Sequence, residues 1–164
     1  IYGVAKAYTT RVGKGPFPTE LNDETGDYIR NKGGEFGTIT GRPRRTGWFD
    51  AVIVRHSVRV NGLSSLAINK LDTLGGIGDL KVCVAYKKPD GTVIENFPAA
   101  LEELADCVPV YETLKGFDDD VSSCRSFDEL PEACKKYIER LEELCDCHIS
   151  MVGVGPDREQ IIER

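Results

Sequence analysis

The sequence predicts an α/β fold with a mainly parallel sheet and one antiparallel hairpin. Three observations carry this. Short apolar stretches at 64–69 (SSLAIN), Leu80–Tyr86 and Ile149–Val152 read as strands, and helical stretches alternate with them. Pro89-Asp90-Gly91 separates Leu80–Tyr86 from Thr92-Val93-Ile94 and has the chemistry of a hairpin turn. Ile149–Val152 runs directly into Gly153-Val154-Gly155-Pro156-Asp157-Arg158, and a glycine loop after a strand is where α/β sheets place ligands.

Taken in order, the opening segment through TTRVGKGPFPTEL reads as an ordered loop, because Pro16 and Pro18 deny the backbone a helical path and ladder donors. Asn22-Asp23-Glu24 offers a helix start with acids in the first turn. That helix continues through Tyr28 and Ile29 and stops at Gly33-Gly34. Asp50 suits an N-cap for AVIVRHSVRVN, whose β-branched residues would equally suit a strand; Gly62 as a natural stop favours helix. Leu130, Ala133, Cys134, Tyr137, Ile138, Leu141, Leu144 and Cys145 recur at steps of three and four, which gives one apolar helical stripe with Pro131 in its first turn. No internal repeat or low-complexity segment is present.

The 164 residues fit one domain or part of a larger one, and 40% apolar with 29% charged residues is the composition of a globular chain with a core. The net charge of -6 disfavours a nucleic-acid surface, since neutralising a phosphate backbone requires an excess of Lys and Arg. No apolar run approaches the roughly 20 residues that span a bilayer, and the first residues lack the order of a signal peptide. No nucleic-acid or membrane partner is therefore expected, and the cytoplasm is the expected location. The chain opens on Ile1 rather than Met, as an excised segment would.

Cys83, Cys107, Cys124, Cys134, Cys145 and Cys147 are an even set that invites disulfides. Reduced thiols are expected instead, because Cys83 lies in an apolar strand run and Cys134 and Cys145 lie on a helix face. Cys145-Asp146-Cys147-His148 has the wrong spacing for a zinc pair and lacks a second pair, so no metal is expected there.

Two clusters carry chemistry. Asn69-Lys70-Leu71-Asp72 matches the N-K-x-D signature of guanine readers and follows an apolar strand. One ionised carboxylate, Asp72, can accept both the N1–H and the exocyclic amine of guanine, while the stem of Lys70 lies along the ring. The phosphate-loop pattern G-x-x-x-x-G-K-[ST] occurs nowhere, and Val12-Gly13-Lys14-Gly15 is too short to replace it. The second cluster, Thr38 to Trp48, holds Arg42, Arg44 and Arg45 among threonines and glycines. It suits a small anion, or alternatively a solvated basic loop with Trp48 plugging the core.

GPFPTEL at 15–21, GTITGRPRRTGWFD at 37–50, NKLD at 69–72, KVCVAY at 81–86 and GPDR at 155–158 together resemble the adenylosuccinate synthetase family, and they span essentially the whole chain. The resemblance implies the C-terminal part of a P-loop-type GTP-binding fold within a Mg²⁺-dependent cytoplasmic homodimer. That enzyme would phosphorylate O6 of IMP with GTP, then let the amine of L-aspartate displace phosphate, giving adenylosuccinate for purine synthesis. It further implies that Thr38, Ile39, Thr40, Gly41, Arg42, Pro43 and Arg44 form the aspartate loop. Arg42 and Val12 would face IMP; Arg44, Lys70, Leu71, Asp72, Gly153, Val154 and Gly155 would face GTP.

Ile39 and Val154 stand where hydroxyl residues are expected, so backbone groups would have to serve there. The catalytic Asp and His, the phosphate loop and the magnesium ligands are expected in an N-terminal part outside this chain. His56 and His148 fall outside every motif, and structural or solvent roles are expected for both. The chain alone is thus expected to be inactive. The competing readings are an independent GTPase, which would need its own phosphate loop, and a non-catalytic guanine-nucleotide-binding module.

Overall fold

The computed structural model describes residues Ile1–Arg164. In chain order the elements are β1 Tyr2–Lys6, β2 Thr9–Arg11, α1 Glu24–Lys32, β3 Arg45–Gly47, β4 Phe49–Asp50, α2 Ala51–Asn61, β5 Ser65–Asn69, β6 Leu80–Lys87, β7 Val93–Ile94, α3 Leu101–Ala105, β8 Val108–Leu114, α4 Glu132–Cys145, β9 Ile149–Gly153 and β10 Ile161–Glu163. Short 3₁₀ turns follow β5 and precede α4 and β10.

The sheet that positions the candidate site has the order β1-β5-β9-β10. β1, β5 and β9 are parallel, with Lys6 beside Asn69 and Ile68 beside Val152, so their carboxyl ends lie side by side. β10 closes the far edge antiparallel to β9. A second sheet is centred on β6, which takes β4 in parallel and both β7 and β8 antiparallel. β2 and β3 form a separate antiparallel pair.

α1 and α2 begin and end where their local chemistry dictates. The Asp23 carboxylate accepts from Gly26 N at 2.9 Å to cap α1, whose last turn carries Arg30 and Lys32 against the dipole. Asp50 accepts from Val52 N at 3.0 Å and Ile53 N at 3.2 Å, and Gly62 closes α2 at φ 59°. Satisfying the first amides at Asp50 settles the helix–strand ambiguity of AVIVRHSVRVN in favour of helix. α4 buries Cys134, Tyr137, Ile138, Leu141 and Cys145, the stripe expected from its spacing. That stripe joins Leu66, Ile68, Ile149 and Val152 of the sheet in the main core. A smaller core of Val52, Cys83, Tyr86, Leu104 and Cys107 lies under α2 and β6. All six cysteines are free.

Two expectations require correction. The opening segment is not all loop: Tyr2–Lys6 and Thr9–Arg11 are strands, and only the Gly- and Pro-rich stretch beyond them is irregular. β1 is ordered by pairing with β5, some sixty residues away, which no local pattern records. The sheets are mixed rather than mainly parallel, since antiparallel ladders join β2 to β3, β6 to β7, β6 to β8 and β9 to β10. The expected hairpin is present, with β6 and β7 pairing Tyr86 with Ile94 and Lys87 with Val93 across the Pro89-Asp90-Gly91 turn, while the long partner of β6 is β8. No helix is long and apolar enough to cross a membrane.

Candidate functional site

The parallel ends of β1, β5 and β9 bring together segments far apart in sequence: Lys6-Ala7-Tyr8, Asn69 to Asp72, and Gly153 to Gly155. Ala7 N donates to Asn69 O at 2.8 Å, and a Cβ on Gly153 would sit 2.7 Å from Asn69 Oδ1. Gly153 is therefore the residue that lets the two ends close on each other. Lys70 takes a left-handed backbone, φ 62°, a costly conformation for a side chain with a Cβ, and so turns the chain sharply off β5.

Asp72 then lies in a 3₁₀ turn, half-buried, with Oδ1 shielded from solvent and without a hydrogen-bond partner. Burial pushes its carboxyl above the usual carboxylate range, with backbone hydrogen bonding and the charges of Lys70 and Lys32 opposing. A shielded acceptor without a donor is costly, and a small shift of the 3₁₀ turn that exposes the carboxylate edge would let two neighbouring donors on a ligand satisfy it. Leu71 and Val154 are fully buried in the core and leave only backbone to a ligand. Val154 N already donates to Gln160 O at 2.9 Å.

The 38–44 loop is solvent-facing, with Ile39 97% exposed. Its base is clipped by Gly37 N donating to Arg42 O at 2.9 Å and by a bridge from Phe36 to Pro43; Gly41 turns it at φ 64°. Thr40 Oγ1 accepts from Arg42 N at 3.4 Å. The three arginines that stand together in sequence separate in space. Arg45 forks onto Glu20 at 2.7 Å and donates to Gly13 O and Gly15 O, each at 3.0 Å, so it pins the Val12 loop and is structural. Arg44 donates to Glu35 Oε2 at 2.8 Å. Only Arg42 keeps an uncommitted guanidinium. Val12 is exposed, and the pairing of Arg11 with Arg45 sets its loop beside the end of the 38–44 loop.

Glu35 carried no signal in the sequence, being one acid between Gly34 and Phe36, yet it is the hub of the site. Fully buried, it accepts from Lys6 at 2.8 and 2.9 Å, Tyr8 at 2.6 Å and Arg44 at 2.8 Å, with Lys70 Nζ 3.7 Å away. Burial raises its pKa, but the hydrogen bonds from Lys6, Tyr8 and Arg44 outweigh burial and bring it to about 2. A depressed folded pKa means that Glu35 contributes stability above the ordinary value near 4.5, which is lost as pH falls toward about 2. Thermal unfolding followed across that range should therefore show a falling acid limb in the native protein, and Glu35→Gln should flatten it.

His56 stacks on Phe97 with ring centroids 5.0 Å apart, and His148 Nδ1 lies 2.9 Å from Glu142; neither reaches the site. No group of three or more His, Cys, Asp or Glu is arranged to hold a metal ion.

Comparison with known proteins places these features in a family. The adenylosuccinate synthetase family profile matches residues 1–162. An adenylosuccinate synthetase of Heliobacterium modesticaldum is 60% identical over 99% of this chain and 38% of its own length. One of Clostridium botulinum is 62% identical over 98% of this chain and 37% of its own length. The solved structure of fully ligated adenylosuccinate synthetase from Plasmodium falciparum superposes with a TM-score of 0.95 at 43% identity, covering 99% of this chain and 39% of that one. The chain thus spans under two-fifths of the length of these relatives.

Proposed function

Since the chain belongs to the adenylosuccinate synthetase family, we propose that it is the C-terminal, guanine-reading and aspartate-holding part of a cytoplasmic, homodimeric enzyme that joins IMP and L-aspartate at the expense of GTP. The observation that carries this is the shielded, unpartnered Oδ1 of Asp72 at the end of β5, beside Lys70 and the Gly153–Gly155 turn. Asp72 accepts the two donors of the guanine edge, the stem of Lys70 covers the ring, and backbone groups of 153–155 close on the base.

The uncommitted fork of Arg42 receives a carboxylate of aspartate, with Thr38, Thr40 and the backbone at Ile39 and Gly41 supplying further polar contacts. Arg42 and Val12 adjoin the IMP pocket, and Arg44 presents its remaining guanidinium nitrogens to the nucleotide phosphates. In this reading the chain binds and orients. The phosphate loop, the magnesium ligands and the acid–base pair belong to the rest of the family's chain.

The test is an exchange. A full-length synthetase that carries this sequence in place of its own matching segment should form adenylosuccinate from IMP, aspartate, GTP and Mg²⁺. The chain alone should form none above the no-enzyme control, and should bind GDP weakly by calorimetry, because it lacks the phosphate contacts that supply most charge-assisted binding. An inactive exchange enzyme that still binds GDP would favour a non-catalytic guanine-nucleotide module. Product from the chain alone would show that the missing part is not needed.

A further inference from the structure

We propose that Glu35 is a positioning residue that holds Arg44, at the end of the anion-binding loop, and Lys70, at the guanine-reading strand end, in one fixed relation, so that both cations meet a single nucleotide. This rests on the function proposed above.

The geometry is that of a strut. Glu35 is fully buried where the β1 end, the 38–44 loop and the turn after β5 converge. It grips Arg44 twice, since Arg44 N donates to Glu35 O at 2.9 Å and Arg44 Nη1 donates to Oε2 at 2.8 Å. On the other carboxylate oxygen, Lys70 Nζ stands 3.7 Å away while it donates to Gly33 O at the end of α1. The carbonyl end of a helix attracts a cation, so Lys70 is drawn to the same point from two sides. Lys6 and Tyr8 neutralise and satisfy the buried carboxylate from the end of β1, and neither side chain donates to the 38–44 loop or to Lys70-Leu71-Asp72.

A buried ion network is a weak source of stability, because desolvation consumes much of its attraction. What several donors on one immobile carboxylate do supply is orientation, which spares a rotamer-rich Arg or Lys the conformational entropy it would otherwise lose on binding. If Glu35 only propped up the fold, removing any of its partners would have similar consequences. If it positions the two cations, loss of Glu35 should weaken nucleotide binding while loss of Lys6 should not.

The experiment uses the full-length exchange enzyme. Glu35→Gln should raise the KM for GTP about tenfold while the KM for IMP stays within about twofold. Lys6→Met, of similar thermal stability, should leave the GTP KM within about twofold. Should Glu35→Gln fold poorly because Lys6 is left unpaired, the double variant Glu35→Gln/Lys6→Met removes both charges and should show the same tenfold rise. An unchanged GTP KM in the folded variants, or an equal rise in Lys6→Met, would overturn the proposal. So would failure of both Glu35 variants to fold, which would assign Glu35 to the stability of the core. The exchange enzyme with native Glu35 separates the two levels: if it does not use GTP, it is the proposed function that fails.

Discussion

In the full-length exchange enzyme, Asp72→Asn is expected to lower kcat/KM for GTP by about a hundredfold and to restore it in part with xanthosine triphosphate. The ionised carboxylate can accept both guanine donors, whereas the amide accepts one and turns its own N–H₂ toward the other. Two opposed donors at a shielded position cost more than a lost bond, because neither is satisfied by water. Oδ1 of Asp72 is shielded and has no partner within the chain, so nothing internal compensates. Xanthine carries a C2 carbonyl in place of the amine, and the amide of the variant can donate to it. Steady-state kinetics with both nucleotides checks this. Unchanged GTP kinetics would remove Asp72 from the site.

The second large effect is expected at Arg42. Arg42→Leu should raise the KM for aspartate by one to two orders of magnitude, because a charge-assisted bond to a carboxylate contributes roughly 1.5 to 3 kcal/mol. The IMP KM should rise as well. Arg45 cannot take over, since both edges of its fork are held by Glu20 and two loop carbonyls. Arg44 is tethered to Glu35. The prediction is therefore specific to one arginine of three. An aspartate KM within about twofold of the native value would place the amino-acid substrate elsewhere.

Elements whose causes are local are legible in the sequence. Asp23 and Asp50 are caps, Gly62 is a stop, and the α4 stripe is core, because each depends on residues within a few positions along the chain. β1 and β8 are not legible there. Tyr2 and Val4 are exposed on an edge strand, so β1 shows no buried apolar run, and β8 contains Pro109 and carries no fully buried residue. Strands of this kind are defined by their partners.

The family motifs, the Asn69-Lys70-Leu71-Asp72 tetrad after a strand and the basic loop are written in the sequence, because they lie in contiguous runs whose chemistry is intrinsic to the residue types. Which members of those runs are committed elsewhere is settled only when the chain folds. Arg45 becomes a tether, and Leu71 and Val154 become core. Glu35, a single acid outside every motif, becomes the point where three segments meet. Burial and pairing are properties of a neighbourhood, and a carboxylate acquires four cationic or hydroxyl neighbours only when the ends of β1 and β5 and the base of the 38–44 loop are folded onto it.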